Sequence, residues 1–478
     1  MATFNKTRIK TPVKNLAGGK AKPLRAKEEL ALLVVSNLVE DNFYRSSNDT
    51  IERLQLLCSK VPAEFIGKLA VYARKEFHVR SITHALIGEL IRNGKGTPNI
   101  RKYIYEAIER PDDIAGVVSY YRAHVESEGA FPAALYHGLK QSFDKFNDYQ
   151  LGKYKMSNAE WKLVDLINMI RPVPTERNKT ALSAIVTTGK FGVDTWETVI
   201  SKEGADKQEE WERLIMEEKL GYMAMLRNLN NFCKVGVSDE AWKKVYNFLT
   251  DESAVENSKQ FPYRFFSAYK TLERSEHTVP RIAFKALSKA CDLSVKNMPN
   301  LEDTAILLDT SGSMQMGHSG KSIINPIEIG ALMAAVAIKY SDKSDLIIFA
   351  STGKRKNINP ELPVLEIVNK ILSMVGEVGH GTDMYSSFDA MNRGYKRIMI
   401  VSDMQTWARG TGTKYNNWCK KYSSDPFVYE IDVTGYGTTQ FDGSKVFRFG
   451  GFSDTIFKLM EHAETDSTKL VKEVESYM

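Results

Sequence analysis

The chain has 478 residues, 43% hydrophobic and 26% charged, which is material for two or three soluble domains with cores of their own. A formal net charge of +6 suits an anionic partner without demanding one. Cys58, Cys233, Cys291 and Cys419 stand far apart, which excludes a zinc knuckle or CxxC redox pair. No stretch reaches the roughly 18 apolar residues of a membrane span, so a cytoplasmic protein with free thiols is expected.

Residues 1–27 hold eight basic side chains (Lys6, Arg8, Lys10, Lys14, Lys20, Lys22, Arg25 and Lys27) and no acid, and read either as a solvated tail or as a basic arm for an anionic surface. Residues 28–296 look helical almost throughout. In PAEFIGKLAVYARKEF (62–77), Phe65, Ile66, Leu69, Tyr72, Ala73 and Phe77 recur every three or four positions and share one face. VRSITHALIGELIRNG (79–94) repeats the pattern and stops at Gly94. Asp49 with Glu52, and Ser157 with Glu160, have capping-box spacing and are expected to open helices. Amphipathic helices in succession, with no strict sequence period, predict stacked pairs of an α-solenoid.

The texture changes over 297–478. TAILLD (304–309), DLIIFA (345–350), RIMIVSD (397–403) and VYEIDV (428–433) read as buried strands, with helices expected over 326–341 and 363–376. That alternation predicts a doubly wound α/β domain whose site lies at the carboxyl ends of its strands.

DTSGSM (309–314) follows the first of these strands. Asp309, Ser311 and Ser313 supply a carboxylate and two hydroxyls on alternate residues, the oxygen donors a hard divalent cation takes. Thr382 and Asp403 bring two further oxygens from loops leaving other elements, and Asp383 is expected to support its own loop. HSGKS (318–322) ends like a phosphate-binding loop, but that motif needs glycine where Gln315 stands; His380 reads as a loop residue. No G-x-S-x-G or HExxH occurs, and Asp309 with Asp403 are too few carboxylates for a two-metal nuclease, so no enzyme is expected.

Asp309, Ser311, Ser313, Thr382 and Asp403 together resemble the metal-ion-dependent adhesion site of von Willebrand factor type A domains. The resemblance implies a divalent cation, Mg²⁺ or another, with one position open to an acidic group or a phosphate.

KLGYMAMLRNLNNF (219–232) resembles a signature of the TROVE module of the Ro autoantigen family, in its bacterial or phage type. So do FIGKLAVYARKE (65–76), VRSITHALIGEL (79–90), DTWETVISKEG (194–204), PYRFFSAYKTLERS (262–275) and LSVKNMPNLEDTAILLDTSGSM (293–314). The resemblance implies a ring of HEAT-like helical repeats over 28–296, closed by the A-like domain over 297–478. It implies a monomeric, non-catalytic ribonucleoprotein component in RNA quality control. Small noncoding Y-like RNA would bind a basic outer surface and single-stranded 3′ ends of misfolded RNA the central hole, with an exoribonuclease as a further partner. Lys140, Lys153 and Lys155 match the family's RNA-binding positions, while Met169 replaces a family histidine near Arg171. Tyr120, Tyr121 and Tyr154 are candidates for stacking on bases, against the alternative that each is an ordinary half-buried tyrosine. Arg74, Arg80 and Arg227 match family motifs, and an internal contact is expected of Arg227. The competing reading is a scaffold that holds an acidic residue of a partner protein at the metal.

Overall fold

A computed structural model describes residues 13–14, 20–21, 26–36, 47–154, 160–188, 195–202, 204–296, 301–315, 324–404, 411–433, 441, 445–450, 456–457, 460, 464 and 469–478. Apart from the two-residue strands β1 (Val13–Lys14) and β2 (Lys20–Ala21), the described residues up to Lys296 form helices and their connections. The helices are α1 (Ala26–Ser36), α2 (Ser47–Cys58), α3 (Ala63–Glu76), α4 (Ser81–Asn93), α5 (Ile100–Ala107), α6 (Pro111–His124), α7 (Ala133–Ser142), α8 (Asp148–Lys153) and α9 (Leu163–Ile170). They continue with α10 (Lys179–Thr188), α11 (Trp196–Ile200), α12 (Lys207–Met216), α13 (Tyr222–Arg227), α14 (Leu229–Val235), α15 (Asp239–Leu249), α16 (Glu252–Ser258), α17 (Pro262–Glu273) and α18 (Arg281–Val295).

The apolar spacing of 62–77 does what it predicts, since Phe65, Ile66, Leu69, Tyr72 and Ala73 are all buried on α3. Helices two apart in sequence pack together, α3 on α5, α4 on α6 and α5 on α7, which is the stacking of a solenoid. Glycine permits the close approach. A Cβ at Gly67 would come within 2.4 Å of the Tyr103 ring, so only glycine lets α3 and α5 meet there. Gly138 does the same for α7, where a Cβ would stand 2.9 Å from that of Ile104.

One expected capping box is corrected and the other falls partly outside the described residues. α2 begins at Ser47, so Asp49 lies inside the helix. Ser157 is outside the described residues, and α9 begins at Leu163 beyond Glu160. Its cap is closed instead by Asp165, whose carboxylate accepts the Lys162 N–H at 3.1 Å.

A buried charge knot joins α3, α4 and α6. Asp113 is fully buried. It accepts hydrogen bonds from Arg74 at 3.0 Å, Arg80 at 3.0 Å and the backbone N–H groups of Glu109 and Arg110 at 3.1 and 3.0 Å, and lies 3.1 Å from His84 Nε2. Burial acts to raise its pKa, but the His84 hydrogen bond and the charges of His84, Arg74 and Arg80 overcome it. They hold the carboxyl well below the ordinary carboxylate range.

From Thr304 the chain builds a six-stranded sheet in the order β5-β4-β3-β6-β7-β8. The strands are β3 (Thr304–Asp309), β4 (Ser344–Phe349), β5 (Gly353–Lys356), β6 (Arg397–Ser402), β7 (Phe427–Asp432) and β8 (Val446–Gly450). All neighbours are parallel except β4 with β5. The helices are α19 (Pro326–Tyr340), α20 (Val364–Leu372), α21 (Tyr385–Ala390), α22 (Thr411–Tyr422) and α23 (Lys469–Ser476). Strand alternation sorts the core into two layers. Ile306 and Leu308 join the α19 side, which is continuous with the core of the helical part. Ala305 and Leu307 face Phe388 of α21 and Trp418 of α22.

α23 returns to the start of the fold and packs on α1 and α3, with Leu470 and Val474 buried. Helical repeats and α/β domain thus close on one another. Among the described residues no helix is long and apolar enough to cross a membrane.

Candidate functional site

The sheet topology brings three loops together at its carboxyl edge. β3 lies between β4 and β6, and Leu308 is paired with Val401 and Asp309 with Phe349. The next residues on β3 and β6 therefore meet, and the Ser402 hydroxyl donates to Asp309 Oδ2 at 2.6 Å. On its other oxygen Asp309 accepts the Ser311 N–H at 2.9 Å, which turns the chain back over the strand end. The Ser311 and Ser313 hydroxyls then lie 3.1 Å apart. The Gly312 N–H donates to the His380 carbonyl at 3.0 Å and ties this turn to the loop carrying Thr382. Asp383 fixes that loop from below: its N–H donates to the Ala350 carbonyl at 2.6 Å, and its carboxylate accepts the Tyr385 N–H at 2.9 Å. Met404, at φ 55°, donates its N–H to Ser402 Oγ at 3.0 Å and holds the turn after Asp403.

Asp309, Ser311, Thr382 and Asp403 are buried, and Ser313 is half-buried. Burial pushes the Asp309 carboxyl up to about 6, against the hydrogen bonds from Ser402 and Ser311, and the charge of Asp403 adds to the rise. Two acidic groups thus act on one another in a poorly solvated place. Such a pair is costly unless a positive charge joins it. No group of three or more His, Cys, Asp or Glu suited to a metal occurs among the described residues, so a cation here would rest on hydroxyls as much as on carboxylates. His380 contributes its backbone carbonyl to the loop, as a loop residue should. The HSGKS stretch, 318–322, lies outside the described residues.

Lys140 lies half-buried on α7 with its Nζ 5.9 Å from the Tyr136 ring. Lys153 is exposed at the end of α8, and Arg171 is exposed just past α9, with φ 50°. None of the three makes an ion pair among the described residues. Lys155 lies outside them. Tyr154 is half-buried, with the Arg110 guanidinium 4.7 Å and Lys153 Nζ 5.8 Å from its ring.

For the other two aromatic candidates the structure favours the ordinary packed tyrosine. Tyr121 is buried, and Tyr120 packs against Gly88 and donates its hydroxyl to Glu89 at 3.0 Å. Tyr121 is thus a core side chain of α6, and Tyr120 is half-buried against that core. Arg74 and Arg80 belong to the Asp113 knot. Arg227 stands exposed without an ion pair among the described residues, against the internal contact expected of it. Sequence reading gave no place to Arg101, Lys102 and Tyr105 of α5, which line a hollow beside α7.

A TROVE domain model matches residues 29–191 and 192–311, more than half of the chain. Telomerase protein component 1 of Mus musculus is 22% identical over 340 residues, which is 53% of this chain and 13% of that protein. The Rattus norvegicus protein of the same name is 23% identical over 332 residues, 52% of this chain and 13% of its own. The chain therefore spans only a small part of these relatives. The crystal structure of the Deinococcus radiodurans Ro (Rsr) protein superposes with a TM-score of 0.68 at 15% identity, over 92% of this chain and 99% of that one. The shared fold is a helical ring with an α/β domain of von Willebrand factor A type.

Proposed function

Since the chain belongs to the TROVE family of RNA-binding ribonucleoprotein components, we propose that it is a non-catalytic RNA holder with two binding regions. Small structured, Y-like RNA lies on the outer surface at Lys140, Lys153 and Arg171, and single-stranded 3′ ends of misfolded RNA enter the ring. The observation that carries this reading is the set of cations on α7, at the end of α8 and after α9 that lack ion pairs among the described residues. Cations held without internal counter-charges are free to displace the counterions of a phosphate backbone. Contacts of this kind position RNA without reading its sequence, so selection falls to the presence of a free end. The same RNA is then within reach of an exoribonuclease working on that end.

At the sheet edge, Asp309, Ser311, Ser313, Thr382 and Asp403 would hold a divalent cation, with Mg²⁺ the best match for all-oxygen donors. The excess of neutral hydroxyls would leave the ion electrophilic, which favours capture of a phosphate oxygen or a carboxylate. A protein scaffold working through that carboxylate is the second reading.

Filter binding to a blunt hairpin and to the same hairpin with a 3′ tail, across a salt series, tests the main reading. Tail-dependent, salt-sensitive binding supports it. Weak binding to both without tail preference overturns it, and metal-dependent capture of a protein after RNase treatment would then favour the scaffold.

A further inference from the structure

β5 is the antiparallel edge of the sheet, and among the described residues no strand lies against its outer side. α21 closes one end of that edge, since a Cβ on Gly353 would come within 2.3 Å of the Ser386 carbonyl oxygen. The other end is open. The ladder stops at the pair Leu346–Lys356, and no backbone hydrogen bond among the described residues carries it on to Asn357 or Ile358. Where the two strands part, a hollow of about 310 Å³ lies beside the amino end of β4. Ile338, Leu346 and Ile358 give it an apolar lining, and Ser344, Arg355 and Asn357 a polar one.

The edge is basic on both faces. Alternate strand residues point to opposite sides, so Arg355 faces one way and Lys354 with Lys356 the other. Lys354 and Lys356 share one acid, Glu377, which lies 3.6 Å from Lys354 Nζ. Arg355 and Arg393 share Asp345, donating to it at 2.9 and 3.0 Å, and the Tyr395 hydroxyl donates to the same carboxylate at 2.8 Å. The acids lie inside and the cations outside. The Lys354 and Arg355 side chains are 60% and 45% exposed, against 11% for Asp345. The charge that the edge presents to a partner is therefore positive.

An open edge strand is a template for pairing, and the charge on it selects what pairs. A second copy of this edge would set cations opposite cations, which is destabilising. A neutral strand would cover Lys354 and Arg355 without supplying counter-charge. A strand that brings its own carboxylates places them opposite the cations and uses the outward backbone groups of the edge. We propose that β5 is a docking edge for an extended acidic segment of a partner protein, added as a further strand, with one glutamate side chain in the hollow beside β4. Its methylene stem rests on Ile338, Leu346 and Ile358, and its carboxylate meets Arg355 and Asn357. The hollow lies at the amino end of β4, away from the carboxyl edge that carries Asp309. The proposal therefore depends neither on the RNA reading nor on a metal.

The test uses the full-length protein in EDTA and a fluorescent probe peptide, Val-Glu-Glu-Glu-Val-Thr, followed by anisotropy. EDTA keeps metal capture of a carboxylate out of the signal. Lys354→Glu, at an exposed side chain whose loss spares the core, should weaken binding about tenfold, as should glutamine for the peptide's glutamates. Asn357→Trp, which crowds the hollow without changing charge, should also weaken it. N-methylation of one alternate set of peptide amides should abolish binding and of the other set should spare it, because only one set faces β5. The methylated peptides keep their charge, so this asymmetry separates an added strand from a mere counter-ion. No binding, or binding that survives Lys354→Glu, overturns the docking edge. Binding that is lost with charge but indifferent to methylation overturns the added strand. Binding that appears only with Mg²⁺ assigns the acid to the other end of the sheet and overturns the proposal. A single-stranded RNA that binds as tightly, with the same loss in Lys354→Glu, would make this a general polyanion surface and overturn the partner assigned to it.

Discussion

The Tyr72 hydroxyl donates to Glu473 Oε2 at 2.8 Å, joining α3 to α23 across 401 residues of sequence. Three further contacts surround it. Tyr477 donates to Glu76 at 2.7 Å, its ring meets that of Tyr72 edge-on at 5.2 Å between centroids, and Lys68 donates to the Glu475 carbonyl at 2.7 Å. Burial, and then Glu473, push the Tyr72 hydroxyl far above its ordinary pKa, so it remains a donor throughout the working pH range. The exposed Lys27–Glu475 pair beside it adds little. This clasp fastens the last helix to the first repeats. Tyr72→Phe should cost about 1 kcal/mol, the worth of one hydrogen bond, and leave Glu473 short of a partner. Truncation before Lys469 also removes Leu470 and Val474 from the core and should cost several times more. Denaturant melts of the two variants check the order; equal melts would mean the clasp holds nothing.

The Asp113 knot makes stability depend on acid. The folded carboxyl lies well below the ordinary range, so the unfolded chain binds the proton more readily. The contribution of Asp113 is therefore complete above its unfolded pKa, about 3.9. It is lost as pH falls from there toward the folded value. Asp113→Asn takes from Arg74 and Arg80 the buried counter-charge they share, leaving Arg74 only Glu109 and Arg80 only Asp112, and should cost about 3 kcal/mol at pH 7. The gap between wild type and variant should narrow below about pH 4, which urea melts at pH 7 and pH 3 measure.

Legibility followed burial. β3, β4, β6 and β7 were readable to within a residue or two because each is apolar on both faces, as a central parallel strand must be. The edge strand β5 reads GKRK, carries charge as edges do, and gave no strand signal. The turn that brings Asp309, Ser311 and Ser313 together was legible because DTSGSM is local and follows a buried strand. The Asp113 knot was not, since Arg74 lies 39 residues from its partner and no local pattern connects them. Tyr121 stayed open between stacking and packing for a related reason: a tyrosine's type does not say which face of its helix is inward. The hollow beside Tyr105 exists only between two helices, and a linear reading shows α5 simply as a basic helix.

Removing Asp309 should have opposite effects with and without a divalent cation. In the metal-free protein, burial and the nearby Asp403 already penalise its charge. Asp309→Asn relieves that penalty and is expected to leave stability in EDTA unchanged or slightly higher. A cation bound at about 100 times its dissociation constant would stabilise the wild type by about 2.7 kcal/mol, and this gain should vanish in the variant. Thermal melts in EDTA and in Mg²⁺ measure both effects. A wild type that melts alike in the two buffers would remove the cation from the proposal.

The outer surface makes a quantitative prediction about salt. Lys140, Lys153 and Arg171 come from three successive helices and spend no charge on internal ion pairs among the described residues. Each phosphate contact contributes a little under one unit to the slope of log affinity against log salt. Changing all three to glutamine should flatten the slope for a structured RNA by roughly 2 to 3 units and weaken binding uniformly across sequences. Arg74 is the internal contrast, because its guanidinium is committed to Asp113. Arg74→Gln should lower stability and leave the slope of the folded protein unchanged. A slope that does not change in the triple variant would place the RNA on another face of the ring.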